Sequence, residues 1–313
     1  MVGAAEGEGR AVTETTSAAA SGRWLVVGAG GMLGRDLAAL LAAENLEHSA
    51  LTRAELDLTD AAAVKAAVAG FDVVVNAAAW TDVDGAETHE AEAAAINGEA
   101  VRGLALACAD SGARLLSLST DYVFPGDATE PIPEDAPTSP INAYGRSKLV
   151  GEQAVLELLP DLGYVVRTAW LYGRHGKNFV DTMLNLAAKH ETLDVVDDQH
   201  GQPTSTRILA WQLLALGEAA YWRPAPPGIY HATCSGRTTW FGLARAAFEL
   251  SGLDPARIRP TTSEKFPRPA PRPAYSVLGH KRWAEARLDP LPDWREMLRD
   301  YILSSTETTD TPA

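Results

Sequence analysis

The chain has 313 residues, enough for one large α/β unit or two modest domains, and it carries 27 Lys and Arg against 41 Asp and Glu. The resulting net charge of -14 repels a nucleic-acid backbone over most of the surface, and no stretch reaches the roughly 20 apolar residues that a membrane helix needs. Nucleic acid and membrane are therefore excluded as partners, and two isolated cysteines, Cys108 and Cys234, favour the cytoplasm over a disulfide-forming compartment.

Residues 1–22 are rich in small and polar side chains and lack the apolar segment of a secretory signal, so we predict a disordered leader. From Trp24 onward, β-branched or Leu-rich runs alternate with Ala-rich segments of helical period, which is typical of βαβ units around a parallel sheet. The predicted strands are Trp24–Gly28, Glu47–Leu51, Val73–Ala77, Arg114–Ser119 and Tyr164–Thr168, and the predicted helices are Met32–Ala43, Ala61–Ala69, Glu90–Ser111 and Ala143–Leu158. The fold class predicted is a Rossmann-like, doubly wound parallel sheet.

This alternation weakens beyond Trp170, where Pro-containing loops separate shorter elements. We therefore predict a dinucleotide-binding domain over residues 23–170. Residues 171–303 are predicted to form mainly a smaller C-terminal substrate-binding lobe, with some segments returning to the first domain. Residues 304–313 are predicted to be a disordered tail.

A glycine-rich turn follows the first predicted strand and opens the first predicted helix, with glycines at 28, 31 and 34. A diphosphate needs the backbone to approach closely, where a Cβ would intrude, and it is held by the amides at a helix N-terminus. Glycines at this spacing also occur in plain tight βα turns, but the strand–turn–helix setting favours a nucleotide site. The cofactor contacts predicted here are Gly28, Gly30, Gly31, Met32 and Leu33.

The end of the second strand bears on which nicotinamide cofactor is used, because a carboxylate there binds the ribose 2′-hydroxyl and a basic residue accommodates a 2′-phosphate. The sequence has Leu51-Thr52-Arg53, with no carboxylate. NADPH is thus favoured, with NADH as the alternative, although Arg53 is also consistent with an ordinary solvated charge. Further cofactor contacts are predicted at Asp57 and Leu58, near the adenine, and at the small residues Ala77, Ala78 and Ala79.

Tyr144 and Lys148 lie four apart on a predicted helix, so their side chains share one face. An adjacent ammonium stabilises a phenolate, and we expect it to lower the tyrosine pKa toward neutrality and make an acid–base catalyst. Such a pair is also common on exposed helices. Thr120 ends the fourth strand, where a ligand-binding residue is expected in an open α/β sheet, and its hydroxyl is suited to polarise a substrate carbonyl.

Together these segments resemble the dTDP-4-dehydrorhamnose reductase family of the extended short-chain dehydrogenase/reductase superfamily, over about Trp24 to Ile302. The motifs that carry the resemblance are Asn76-Ala77-Ala78-Ala79, Ser119-Thr120-Asp121-Tyr122-Val123-Phe124, Tyr144-x-x-x-Lys148, Arg167-Thr168-Ala169-Trp170, Asp198-Gln199-x-Gly201 and Arg272-Pro273. The chain departs from the family pattern at Tyr275, where Asn is common, and at Ala169, where Ser is frequent.

The resemblance implies hydride transfer from the nicotinamide to C4 of a dTDP-4-keto-6-deoxy sugar, dTDP-4-dehydro-L-rhamnose, with Tyr144 protonating the oxyanion. Thr120, Tyr144 and Lys148 would form the catalytic triad, and Lys148 would also bind the nicotinamide ribose. Thr120 would bind substrate as well, and the other substrate contacts implied are Asp121, Tyr122, Trp170 and Arg272. A guanidinium such as that of Arg272 suits a diphosphate inside an acidic protein.

Other functions remain open from the sequence. A 4-ketoreductase of another dTDP-deoxysugar, such as one leading to dihydrostreptose, would share these motifs. A 4,6-dehydratase or 4-epimerase is disfavoured, because Tyr122 replaces the second acid of the dehydratases. A non-catalytic regulatory subunit has no need of a tuned acid–base pair. No metal site is predicted, and the chain is expected to be a monomer or homodimer.

Overall fold

The computed structural model describes residues 22–222 and 225–307. The strands are β1 (Trp24–Val27), β2 (His48–Leu51), β3 (Val73–Asn76), β4 (Arg114–Thr120), β5 (Gly163–Thr168), β6 (Leu171–Tyr172), β7 (Leu193–Val196), β8 (His200–Gly201), β9 (Thr204–Ser205), β10 (Gly228–His231), β11 (Thr238–Thr239) and β12 (Ile258–Thr261). The helices are α1 (Met32–Ala43), α2 (Ala61–Val68), α3 (Val83–Ala86), α4 (Glu90–Ala94), α5 (Ala100–Ser111), α6 (Ala143–Leu158), α7 (Phe179–Ala187), α8 (Thr206–Tyr221), α9 (Trp240–Leu250), α10 (Arg282–Glu285) and α11 (Trp294–Glu307).

A six-stranded parallel sheet in the order β10-β5-β4-β3-β1-β2 organises the larger part of the molecule, which confirms the predicted fold class. The chain moves outward from β1 to β2 and then returns to the other side of β1 for β3. The strand order therefore reverses between β1 and β3, where Val27 pairs with Asn76. In open α/β sheets, ligands bind outside the carboxyl ends of the strands at such a point.

Successive side chains of each central strand point to opposite faces of the sheet, and each face packs against its own layer of helices. Val26 and Val75 face a layer that includes α1 and α8, while Leu25 and Val74 face the layer of α2, α5 and α6. The central strands β1 and β3 are buried throughout. Both faces of the sheet are thus covered by helices, and its carboxyl edge is left for ligand contacts.

Three elements beyond Trp170 pack on this sheet or extend it, and one of them is the short helix α10, whose Trp283 is buried in the same apolar layer as Val26. Helix α8 lies against α1, and β10 extends the sheet beyond β5 with Ile229 opposite Val165. The remaining C-terminal elements form a smaller lobe, in which α7, α9 and α11 share apolar clusters that include Val180, Leu243 and Leu298. The chain therefore leaves the main sheet after β5, returns for α8 and β10, leaves it again and returns at α10.

The helix predicted over Glu90–Ser111 is interrupted by a π-helical turn at Ala95–Glu99, between α4 and α5. Asn97 in this turn is 1% exposed, and its amide group donates to the Trp80 carbonyl and the Ser147 hydroxyl while its oxygen accepts from the Trp80 amide. The wider π-helical turn lets the buried Asn97 side chain form all of these hydrogen bonds. Helical periodicity in the sequence does not predict such a turn.

The two ends of the chain correct the predicted boundaries. Gly22 is buried beside Asp72 and Tyr221 and is not part of a disordered leader, and α11 extends to Glu307, beyond the tail start predicted at Ser304. The rest of the predicted leader and tail, 1–21 and 308–313, lies outside the described residues. Over 22–222 and 225–307, no helix is long and apolar enough to cross a membrane.

Candidate active site

A cleft of about 600 Å³ opens at the carboxyl edge of the sheet and extends to the smaller lobe. It contains most of the site residues predicted from sequence, contributed by the β1–α1 turn, the ends of β3, β4 and β5, and helix α6. The predicted residues that line it are Gly31, Met32, Leu33, Ala77, Ala79, Thr120, Asp121, Tyr122, Tyr144, Lys148 and Trp170.

The glycine-rich turn forms one wall. Gly28 has a φ of 81°, and a Cβ there would lie 2.5 Å from the Ala78 nitrogen, so only glycine fits. Helix α1 begins after Gly31 with no side-chain cap and no acidic residue in its first turn. Its N-terminal amides and positive dipole end are therefore suited to a diphosphate, and the residues present fit a dinucleotide.

Several predicted cofactor residues lie outside the cleft lining. Gly28, Gly30 and Ala78 form backbone behind its wall, and the Thr52 methyl lies 3.8 Å from the position of a Cβ on Gly30. Arg53 and Asp57 are exposed, and the Leu58 side chain packs into the core near α2. Hydrogen bonds from the backbone and then the hydroxyl of Thr59 hold the pKa of Asp57 below its usual value.

Strand β4 and helix α6 bring together the three predicted catalytic side chains. Helix α6 is capped by Asn142, whose side chain accepts from the Gly145 amide at 2.8 Å, and this places Tyr144 in the first turn. The side chains of Thr120 and Tyr144 line the same cleft. Lys148 is 4% exposed, and its ammonium donates to the Leu118 carbonyl at 2.6 Å.

The pKa of Tyr144 is shifted in the opposite direction from the one expected from its spacing to Lys148. Burial, together with the Asp121 carboxylate, raises the pKa of Tyr144 to about 12. Burial lowers the pKa of Lys148 to about 8. The expected lowering of the tyrosine pKa is wrong for this arrangement, because the ammonium is bonded to Leu118 and the phenol is surrounded by protein and a nearby carboxylate.

Asp121 is the other titratable group at the centre of the cleft. It is 2% exposed, and burial raises its pKa to about 6, with the hydrogen bond from Thr120 opposing the shift. The Thr120 hydroxyl donates to its carboxylate at 3.0 Å. The carboxyl group is thus close to half-protonated at slightly acidic pH.

Arg272 does not line the cleft itself, but its charge acts on Tyr122, which does. Its guanidinium donates to Asp84 at 2.6 Å and to the Ala270 carbonyl at 2.7 Å. Asp84 is the second residue of the short helix α3, so the loop carrying Arg272 is tied to the dinucleotide side of the molecule. Sequence reasoning did not single out Asp84, because it is 188 residues away along the chain.

Sequence reasoning also missed Trp240, which lines the cleft from the first turn of α9. Its indole stacks on that of Trp170, with ring centroids 3.7 Å apart. No sequence spacing signals this pair, since the two indoles come from different lobes. The other lining residues that were not predicted are Thr81, Val83, Leu118, Ser119, Thr168, Ala169, Leu171, His175, Gly176 and Lys177.

Comparison with known proteins identifies the family. The family model described as "RmlD substrate binding domain" matches residues 22–306. A dTDP-4-dehydrorhamnose reductase from Streptomyces griseus is 58% identical over 280 residues, which cover 89% of this chain and 92% of the relative. The chain belongs to the dTDP-4-dehydrorhamnose reductase family. It is accordingly an NAD(P)H-dependent oxidoreductase of the extended short-chain dehydrogenase/reductase superfamily.

Two further relatives bear on the substrate and the cofactor. A dTDP-4-keto-6-deoxy-D-glucose reductase from Streptomyces niveus is 52% identical over 278 residues, which cover 88% of this chain and 95% of the relative. The crystal structure of a dTDP-4-dehydrorhamnose reductase from Bacillus anthracis, in complex with NADP, superposes with a TM-score of 0.85 at 34% identity. That match covers 91% of this chain and 99% of the other.

This member of the dTDP-4-dehydrorhamnose reductase family has two departures from the family pattern, and one of them lines the cleft. Ala169 lines the cleft beside Trp170. Tyr275 is 7% exposed, and its hydroxyl has no hydrogen-bond partner among the described residues. Over residues 22–222 and 225–307, no group of three or more His, Cys, Asp or Glu side chains is arranged to hold a metal ion.

Proposed function

We propose that this protein reduces the C4 ketone of dTDP-4-dehydro-L-rhamnose to give dTDP-L-rhamnose, with NADPH as the reductant and Tyr144 as the proton donor. The observation that carries the proposal is that one cleft contains both the uncapped N-terminus of α1 and the side chains of Thr120, Tyr144 and Lys148. The names of the relatives support the same reaction.

NADPH supplies the hydride when it is bound. Its diphosphate would lie at the N-terminus of α1, against Gly31 and Met32, and the small side chains of Ala77 and Ala79 leave room beside it. Lys148 would bind the nicotinamide ribose. Arg53, exposed on the loop after β2, would contact the 2′-phosphate, and Asp57 and Leu58 mark the segment near the adenine.

The proton is delivered by this chain. A phenol with a pKa of about 12 is fully protonated at neutral pH, which suits a group that must donate its proton to the developing C4 oxyanion. Thr120 would donate a hydrogen bond to the same oxygen and stabilise its charge as the carbonyl is reduced. The buried Lys148 ammonium then offsets the negative charge left on the phenolate.

The sugar and nucleotide contacts come from the remaining cleft residues. Trp170 would pack against the C–H face of the deoxysugar, with Asp121 and Tyr122 at its hydroxyls. Arg272, which is tied to Asp84, would bind the diphosphate of the sugar nucleotide, since a guanidinium pairs with phosphate oxygens in bidentate geometry. The protein would act in the cytoplasm as a monomer or homodimer.

A second candidate is the reduction of a different dTDP-4-keto-6-deoxy sugar. Ala169 favours it, because this residue differs from the family pattern and lines the cleft beside Trp170. The Streptomyces niveus relative is named for such a sugar, dTDP-4-keto-6-deoxy-D-glucose.

A substrate panel tests the proposal. Purified protein is given dTDP-4-dehydro-L-rhamnose or dTDP-4-keto-6-deoxy-D-glucose, each with NADPH and with NADH, and loss of reduced nicotinamide is followed. We expect the highest kcat/KM with dTDP-4-dehydro-L-rhamnose and NADPH. A higher kcat/KM with the other sugar supports the second candidate, and no turnover with any 4-keto sugar contradicts both.

A further inference from the structure

Beneath the Tyr144 and Lys148 pair lies a buried ion pair between Glu152 of α6 and Arg167 of β5. The side chains of both residues are 2% exposed. Arg167 donates to the two carboxylate oxygens of Glu152, from Nε at 2.8 Å and from Nη2 at 2.7 Å. Such bidentate geometry is the strong form of a guanidinium–carboxylate contact.

Neighbouring groups make further hydrogen bonds to both members of this ion pair. The Ser119 hydroxyl donates to Glu152 Oε1 at 2.5 Å. Arg167 Nη1 donates to the Glu134 carbonyl and to His231 Nε2, both at 3.3 Å. His231 is therefore neutral, with its Nδ1 donating to the Gly279 carbonyl, and burial lowers its pKa to about 3. The Glu152 side chain is thus held in one fixed place.

Glu152 lies one helical turn beyond Lys148. The two residues are four apart on α6, and both line a cavity of about 10 Å³ between this helix and β4, together with Ser119 and Asn97. A buried ammonium is unfavourable unless opposite charge or hydrogen bonds compensate it, and Lys148 also has the Leu118 carbonyl. The other titratable or charged side chains grouped around this pair are Tyr144 on α6, Asp121 after β4 and Arg167 on β5.

We propose that Glu152 is a positioning residue for the reduction, which keeps Lys148 protonated and its ammonium directed at the Leu118 carbonyl, while Arg167 holds the Glu152 side chain in place. The proposal rests on the proposed function, in which Lys148 serves the proton donor Tyr144. The buried carboxylate of Glu152 does not line the cleft, so its role would be exerted through Lys148.

The influence of Glu152 on the pKa of Lys148 has the direction that the proposal requires. Burial lowers the pKa of Lys148 to about 8, and the charge of Glu152 opposes that shift. Loss of the carboxylate would let burial lower the pKa further. Because Lys148 must be protonated to offset the phenolate, activity would then be lost at lower pH than in the unchanged enzyme.

The test compares Glu152→Gln with the unchanged protein. The titration of Lys148 is followed by NMR of ¹³Cε-labelled lysine, assigned with Lys148→Arg, and kcat/KM is measured against pH. We expect both the titration midpoint and the alkaline limb to move down by about one pH unit or more. The matched control is Glu157→Gln, since Glu157 lies on the same helix and also pairs with an arginine, Arg102, but its side chain is 64% exposed.

A second variant guards against misfolding, because Glu152→Gln leaves Arg167 buried without its partner. In Glu152→Gln/Arg167→Met the ion pair is replaced by neutral groups, and the same downward shift is expected. A folded variant in which the Lys148 titration is unchanged overturns the proposal. If the proposed function is wrong, no 4-keto sugar is reduced, but the NMR titration of Lys148 can still be measured because it does not depend on turnover. The role of Glu152 is therefore tested separately from the proposed function.

Discussion

The indole of Trp170 lies flat against the indole of Trp240, with ring centroids 3.7 Å apart and 9° between the planes. Trp170 has a φ of 48°, a left-handed conformation that residues with a Cβ rarely adopt, and a Cβ on Gly201 would lie 2.5 Å from its ring. The Trp240 indole donates to Gln199 at 3.1 Å. The stack therefore joins the loop after β5 to the smaller lobe beside the sugar-binding part of the cleft.

Trp240→Ala removes the surface that orients Trp170, so we expect the KM for the nucleotide sugar to rise about tenfold with little change in the KM for NADPH. Steady-state kinetics with each substrate varied in turn measures this. Trp240→Phe retains an aromatic face and is expected to be intermediate. The control is Trp222→Ala, since Trp222 is 59% exposed and does not line the cleft. Equal rises in both KM values would contradict a specific effect on sugar binding.

Tyr144→Phe removes only the phenolic hydroxyl. We expect the affinity for NADPH, measured by fluorescence titration, to stay within about twofold, while kcat falls by roughly 10²–10⁴-fold because proton delivery is lost. A variant with the unchanged protein's kcat would show that another group delivers the proton.

Arg53→Ala is expected to raise the KM for NADPH more than the KM for NADH, because only NADPH has a 2′-phosphate for a guanidinium to bind. Initial rates with the two cofactors are compared. Arg102→Ala is the control, since Arg102 is paired with Glu157 away from the cleft. If both cofactors are affected equally by Arg53→Ala, Arg53 does not contact the 2′-phosphate.

Asp121 makes stability depend on pH. Burial raises its folded-state pKa to about 6 from the usual 3.8, so between these values the folded state binds more protons than the unfolded state. The contribution of Asp121 therefore becomes less favourable as pH rises from about 4 to about 6, and the cost persists above that range.

The variant Asp121→Asn has no carboxyl group at this position, so the part of the pH dependence of stability that comes from Asp121 is absent. Relative to the unchanged protein, the variant should gain on the order of 2–3 kcal/mol of unfolding free energy between pH 4 and pH 7, while losing activity through altered substrate contacts. Urea denaturation at both pH values gives the difference. The prediction fails if the stability gap between the two proteins is independent of pH.

Two helical glycines are expected to respond to alanine in opposite directions. A Cβ on Gly217 of α8 would lie 2.1 Å from the Trp24 ring in β1, so Gly217→Ala should destabilise by about 1–3 kcal/mol through overpacking. A Cβ on Gly103 of α5 meets nothing within 4 Å, so Gly103→Ala should stabilise by about 0.5–1 kcal/mol. Thermal and urea denaturation of both variants measure the two effects. Equal effects would contradict the close packing of α8 on β1.

The sheet and the dinucleotide turn were predictable because their signals are local. The runs Trp24–Val27 and Val73–Asn76 are short and mostly apolar, and the glycines that follow the first run have a spacing that is itself a local signal. The spacing of Tyr144 and Lys148 likewise follows from one helix. Local periodicity thus determined the fold class, the phosphate-binding turn and the pairing of the two side chains.

Only the tertiary structure decided what surrounds those side chains. Trp240 meets Trp170, and Arg272 meets Asp84, across large separations along the chain, and no local pattern encodes such contacts. The pKa of Tyr144 depends on burial and on Asp121, so the expectation drawn from its spacing to Lys148 had the wrong sign. The sequence by itself determined which chemical groups are present; packing determined their desolvation and charge, because both depend on neighbours brought together by folding.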